Sequence, residues 1–255
     1  MGIYLNPSAD GFASIMKTGD YVDKTGLLEY TNSVLTTTEA YICNSRPRRF
    51  GKSYAANMLA AYYSKGCNSE EMFSGLDISR ESDFKTHLNK YDVIHFDVQW
   101  CMMDAKDTDH VVDYINEGIL QELREAYGQI IPDAVRTAYG AMSYIKVATG
   151  NKFVVIIDEW DVLIRDEAQN HTLQEAYIDF LRGMFKGTEP SRYIALAYLT
   201  GILPIKKYGT HSALNMFDEF SMINPGPLAC YVGFTEKQDE KLCKQYGMDM
   251  EEVKN

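Results

Sequence analysis

The run from Arg46 to Ser53, RPRRFGKS, constrains this chain more than any other stretch. A strand-like segment, residues 38–44, leads into it, and a helix-like segment, Tyr54 to Tyr63, leads out. A strand, a glycine-containing turn and a helix in that order build a phosphate-binding loop. Lys52 would reach the β- and γ-phosphates of a nucleotide, and the Ser53 hydroxyl would ligate Mg²⁺. Backbone N–H groups at the start of the helix would point at phosphate oxygens. Arg48, Arg49, Phe50, Gly51, Lys52, Ser53 and Tyr54 are therefore the candidate nucleotide-contacting residues.

The loop departs from the usual pattern at one position. Gly51, Lys52 and Ser53 match the second half of the phosphate-loop consensus, but Arg46 stands where the first glycine is expected. A glycine there permits positive φ and a tight entry turn. Pro47 fixes its own φ and biases Arg46 toward an extended conformation, so the chain must enter the loop differently. Gly-Lys-Ser alone also fits an ordinary strand–turn–helix with a basic turn. The cluster Arg46, Arg48, Arg49 and Lys52 stands out in an acidic chain, and polyphosphate binding accounts for it better than a solvated turn.

A second motif strengthens the first. Phe153 to Asp158, FVVIID, is an unbroken apolar run, which suits a strand buried on both faces of a parallel sheet. It ends in Asp158 and Glu159, adjacent carboxylates in the Walker B pattern. Asp158 would hold Mg²⁺, directly or through water, and Glu159 would polarise an attacking water. A third apolar strand, Tyr193 to Thr200, ends in Thr200-Gly201. If it lies between the other two motif strands, Thr200 faces the γ-phosphate as a sensor. The alternative is a threonine that merely ends a strand. Glu159, Lys52 and Thr200 are the candidate catalytic residues, with Ser53 and Asp158 as metal ligands.

Composition is compatible with this reading. With 255 residues, 45% of them hydrophobic, the chain can bury one sizeable core. The net charge of −11 argues against nonspecific nucleic-acid binding, which needs clustered Lys and Arg. The five cysteines are scattered without metal-ligand spacing, which suits reduced thiols in a cytoplasm. The five histidines, His211 among them, are dispersed too. No run approaches a membrane span, and the N-terminus lacks the layout of a signal peptide.

Along the chain, strand-like and helix-like segments alternate. After the loop helix, Phe84 to Leu88 reads as a helical turn and Tyr91 to Val98 as the second strand. Helical periodicity follows over Asp107 to Ala126 and again over Pro132 to Ala148, with Pro132 at a first helical position. This long helical stretch is the expected insertion or partner surface. Helices are also expected over Leu173 to Phe185 and Thr235 to Tyr246, and Asp23 or Thr25 is a candidate cap for a helix through Tyr30. Strands separated by helices imply an α/β fold with a parallel sheet and a site at the carboxyl ends of the strands. The expected organisation is an N-terminal segment (1–37) packed on a phosphate-loop domain (38–230), then a C-terminal helical segment (231–255).

YVDKT (Tyr21 to Thr25), RPRRFGKS, MFSGLDI (Met72 to Ile78), VVIIDEWD (Val154 to Asp161), LTGI (Leu199 to Ile202) and VGFTEKQ (Val232 to Gln238) together resemble the bacterial AAA-ATPase-like family. The resemblance spans nearly the whole chain in motif order. It implies a P-loop NTPase of the additional-strand (AAA/STAND-like) class, with the sensor strand between the other two motif strands. It also implies ATP and Mg²⁺ as ligands. Carried over by position, Gly51, Lys52 and Ser53 match phosphate and metal binding, Asp158 and Glu159 the Walker B pair, and Thr200 the sensor position. In this family a nuclease-like domain often follows. Asn255 stands about where it would begin, and nuclease activity is not credited to these residues.

Three activities share such a loop. ATP hydrolysis fits best, because Asp158-Glu159 suits water activation. A nucleotide-dependent switch with little turnover is the rival, and a small-molecule kinase is weaker because no acceptor site can be named. Arg48 or Arg49 could add positive charge in cis, or a second subunit or protein partner could supply it in trans. The segment Tyr21 to Thr25 could form an adenine pocket or simply start a helix packed on the sheet.

Overall fold

The computed structural model describes residues 1–205 and 214–250. His211 and the last five positions of the C-terminal segment lie outside the described residues. The core is one parallel sheet flanked by helices. Its strands are β1 (Tyr41–Ser45), β2 (Asp92–Asp97), β3 (Phe153–Asp158), β4 (Ile194–Gly201) and β5 (Asp218–Phe220). They lie in the order β2-β3-β4-β1-β5, and every pairing is parallel.

β1, β3 and β4 are buried along their whole length, which is why β3 and β4 read as long apolar runs. β4 lies between β1 and β3, so the strand ending in Thr200-Gly201 sits between the phosphate-loop strand and the acid-tipped strand. In register, Asn44 pairs with Thr200, Ile157 with Leu199, and Asp97 with Asp158. The carboxyl ends of three motif-bearing strands therefore meet at one edge of the sheet.

The N-terminal residues cover the outer edge of β2. The Asn6 N–H donates to the Val93 carbonyl at 2.7 Å, and the His95 N–H donates to the Tyr4 carbonyl at 2.9 Å. Covering an edge in this way removes a template for unwanted pairing. Helix Asp10–Met16 packs on the loop helix Lys52–Tyr63, and the Phe12 ring stacks on Phe73 with centroids 5.1 Å apart.

Several expected boundaries move. The helix expected from Pro132 begins at Ala138, because the Thr137 side chain caps it by accepting from the Gly140 N–H at 3.2 Å. Pro132 instead sits in a turn, where its carbonyl accepts from the Val135 N–H. Thr25 stands at the cap position of helix Gly26–Val34 but does not cap it. Its hydroxyl donates to Asp23 at 2.7 Å and accepts from the Ile78 N–H at 3.1 Å, tying the helix start to a distant turn. β5 has no apolar run to reveal it: its residues are Asp-Glu-Phe, and only Phe220 is buried.

Candidate functional site

The loop after β1 is shaped by two residues in the left-handed region. Gly51 has φ 77° and opens helix Lys52–Tyr63, a conformation that costs glycine little. Arg49 has φ 71°, which is unfavourable for a residue with a Cβ. Arg48 and Arg49 are exposed and make no ion pair among the described residues.

Arg46 leaves the basic cluster altogether. Its side chain turns inward, is 2% exposed, and donates from Nη1 to the carbonyls of Ser45 (3.1 Å) and Phe220 (2.9 Å). Burial lowers its pKa from the ordinary guanidinium value, with Tyr198 opposing. Position 46 thus carries a strut to β5, and the basic residues of this cluster left to line the cleft are Arg48, Arg49 and Lys52.

Lys52 is buried beneath the loop. Its ammonium donates to the Pro47 carbonyl at 3.1 Å and lies 3.9 Å from Glu159 Oε1. Ser53, one residue on, is exposed at the start of the same helix.

At the tip of β3, Asp158 is 4% exposed. Its Oδ1 accepts from the Glu159 N–H at 3.0 Å and from the Thr200 hydroxyl. Thr200 is fully buried, so in this structure its hydroxyl serves Asp158 and does not reach the cleft. Thr200 therefore stands directly behind Asp158, with its hydroxyl on that carboxylate.

Glu159 has φ 49°, the same disfavoured region as Arg49. It is held there from both sides, by its own N–H on Asp158 and by the Trp160 N–H on the Thr200 carbonyl at 2.9 Å. Backbone strain at a candidate catalytic position requires such support from the surrounding fold. Burial pushes the Glu159 carboxyl above the usual range; Asp158 and Asp161 add to this, while Lys52 and Arg165 oppose it. A carboxyl poised upward in this way suits a proton acceptor.

Sequence reasoning passed over three neighbours of this pair. Arg165, on helix Val162–Asp166, lies 3.5 Å from Glu159 Oε2 and 3.3 Å from Asp161 Oδ2. Asp161 is fully buried, and its Oδ2 also accepts from the N–H groups of Ile202 (3.1 Å) and Leu203 (2.7 Å). Its Oδ1 is buried without a hydrogen-bond partner among the described residues. Asp97 lies level with Asp158 in the sheet and caps helix Val98–Asp104. The (i, i+4) spacing of Asp161 and Arg165 was the one signal in the sequence.

A cleft of about 640 Å³ opens over the loop, within the ~300–1,000 Å³ typical of small-molecule sites. All seven candidate contact residues, Arg48 to Tyr54, line it, and so does Glu159. Asp158 and Thr200 lie behind that lining. The N-terminal segment contributes Tyr21, Val22 and Lys24, and the C-terminal segment contributes Tyr231, Gly233 and Phe234. The Tyr21 region therefore borders the cleft as well as preceding a helix.

Lys24 joins these two segments. Its ammonium donates to the Cys230 carbonyl (2.9 Å) and to Gln238 Oε1 (2.6 Å), and it lies 5.3 Å from the Phe234 ring centroid. Gly233 has φ 97°, and a Cβ there would lie 2.9 Å from the Phe50 ring. The C-terminal segment thus touches the phosphate loop itself.

The Predicted AAA-ATPase family matches residues 8–210 of the chain. A protein of Azotobacter chroococcum mcd 1, described as "Uncharacterized protein in vnfD 5'region", is 27% identical over 258 residues. That alignment covers 95% of this chain and 46% of the relative, so the chain spans about half the length of the curated protein it matches. No helix among the described residues is long and apolar enough to cross a membrane.

Proposed function

Because the chain belongs to the Predicted AAA-ATPase family, we propose that it binds ATP with Mg²⁺ in the cleft above Gly51–Lys52–Ser53 and hydrolyses it. We place it in the additional-strand (AAA/STAND-like) class of P-loop NTPases, a reading supported by β4 lying between β1 and β3. The observation that carries the function is the meeting of Lys52 and Glu159 across one cleft, 3.9 Å apart, from strands that are not neighbours.

The donor set suits a hard divalent cation. Ser53 supplies an exposed hydroxyl, and Asp158 a carboxylate whose Oδ2 accepts no hydrogen bond among the described residues. No group of three or more His, Cys, Asp or Glu could hold a metal among the described residues. An ion here would therefore draw most of its ligands from phosphate and water, as Mg²⁺ does. When bound, Mg²⁺ neutralises charge on the β- and γ-phosphates.

The chain's own residues would supply the rest. Lys52 exchanges the Pro47 carbonyl for phosphate oxygens, and the amides opening the helix add oriented donors. Glu159 orients a water for in-line attack and takes up its proton. Thr200 holds Asp158 in place from behind. Tyr21, Tyr231 and Phe234 offer aromatic faces to the base. Contact between Gly233 and Phe50 would carry a change in the loop to the C-terminal segment, which couples occupancy to conformation.

A second reading, a switch with little turnover, is favoured by one observation. Glu159 is paired with both Lys52 and Arg165, so it is not free to act on water in this arrangement. Phosphate release with Mg-ATP over a range of protein concentrations, beside nucleotide affinity for the parent, Lys52→Ala and Glu159→Gln, separates the two. Hydrolysis predicts that Lys52→Ala loses binding, while Glu159→Gln binds and keeps only a small residual turnover. Tight binding by the parent with no release at any concentration would leave only the switch.

A further inference from the structure

Glu159 lies between two cations of different kinds. Lys52 belongs to the loop and lines the cleft, so phosphate would draw its ammonium away from the carboxylate. Arg165 does not line the cleft, and among the described residues it meets the site through Glu159. It is also held independently of Glu159. Nε lies 2.9 Å from Asp166 Oδ1, and Nη1 lies 3.3 Å from Asp161 Oδ2. Asp161 in turn is fastened to the N–H groups of Ile202 and Leu203, directly after the strand that carries Thr200. A planar guanidinium fixed by two carboxylates can present its remaining N–H bonds in a set direction, which a lysine ammonium cannot.

We propose that Arg165 is a positioning residue: it holds the Glu159 carboxylate at the cleft once the phosphates have taken Lys52. The inference rests on the proposed hydrolysis. It also ties the candidate base to the turn after β4, through Asp161. Glu159's backbone is already pinned by Asp158 and Thr200, so the side-chain rotamer is what Arg165 sets. Arg165 is thus neither a phosphate ligand nor a trans-acting finger.

The test compares the parent, Arg165→Ala, Arg165→Lys, Glu159→Gln and the Arg165→Ala/Glu159→Gln double variant. Nucleotide affinity and single-turnover phosphate release are measured with Mg-ATP. Arg165→Ala is expected to slow release by at least about tenfold, as misplacement of a catalytic group does, and to leave affinity within about threefold, the mark of an interaction that acts on the chemical step. Arg165→Lys should recover part of the rate. In the Glu159→Gln background the arginine change should cost nothing further. Multiplicative losses in the double variant, or an affinity loss as large as the rate loss, would overturn the proposal.

If the parent binds nucleotide without releasing phosphate, the hydrolysis reading fails by itself. The pairing is then judged from thermal midpoints of the parent, Arg165→Ala, Glu159→Gln and the double variant in the nucleotide-bound protein. Non-additive effects support the Arg165–Glu159 pairing, and additive effects reject it.

Discussion

Arg46 donates to the Phe220 carbonyl at 2.9 Å, across the boundary between β1 and β5. The first residue of the loop after β1 is therefore an anchor for an edge strand of the sheet. β5 has three residues and, among the described residues, pairs with β1 alone, so this bond stabilises a weak edge. No carboxylate lies within ion-pair distance of Arg46 among the described residues, and backbone carbonyls carry its compensation.

Arg46→Ala removes those donors and leaves the Phe220 carbonyl in a buried setting. Stability should fall by about 1–3 kcal/mol, the cost of stranding such a group. Nucleotide affinity should fall far less than in Lys52→Ala. Urea unfolding and Mg-ATP titration of the two variants check this; equal affinity losses would return Arg46 to the phosphate site.

Thr200→Val keeps the shape of the buried side chain and deletes the donor to Asp158. It should destabilise by about 1–3 kcal/mol, because a buried carboxylate loses a partner. Mg²⁺-dependent nucleotide affinity should weaken as well, since Asp158 is left less constrained. Thr200→Ser, which keeps the hydroxyl, should retain most of both. Thermal unfolding and titration with and without Mg²⁺ measure the contrast.

Gly201 is required for space. A Cβ there would lie 2.6 Å from Asp161 Oδ1 and 2.7 Å from the Trp160 indole, both fully buried groups. Gly201→Ala should cost about 1–3 kcal/mol by overpacking. It should also slow phosphate release by displacing the Asp161–Arg165 pair. A denaturation midpoint equal to the parent's would show that the site yields more easily than the packing implies.

Lys24 supplies a pH test. Burial pulls its pKa down to about 8 from 10.5, against the opposing pull of Cys230, Asp239 and Asp23. Between those two values the unfolded chain holds a proton that the folded chain has lost, so this group's contribution to stability rises with pH across the window. The parent should therefore gain stability relative to Lys24→Met from pH 8 toward pH 10.5. Urea midpoints of both proteins at several pH values read the difference, and a gap that stays constant would show that Lys24 is not desolvated.

Much of this site was legible because its signals are local. The Phe153–Asp158 strand coincides with its apolar run, and the loop helix starts within two residues of the expected position. Arg48 to Tyr54 line one cleft because they are consecutive on one turn and one helix. The helix start at Ala138 was missed because a capping threonine outcompeted a proline several residues earlier. β5 was missed because an edge strand of two acids and a phenylalanine has no periodicity to read.

Residue types in covalent order were enough for the long buried strands, the main helices and the parallel α/β architecture. Tertiary structure decided which distant groups meet: Arg46 with Phe220, Thr200 with Asp158, Arg165 with Glu159 and Asp161, and Lys24 with the C-terminal segment. Hydrophobic periodicity assigns a residue to a face and carries no information about its partner there. The partner is settled by strand order and by the need of each buried polar group for a hydrogen bond.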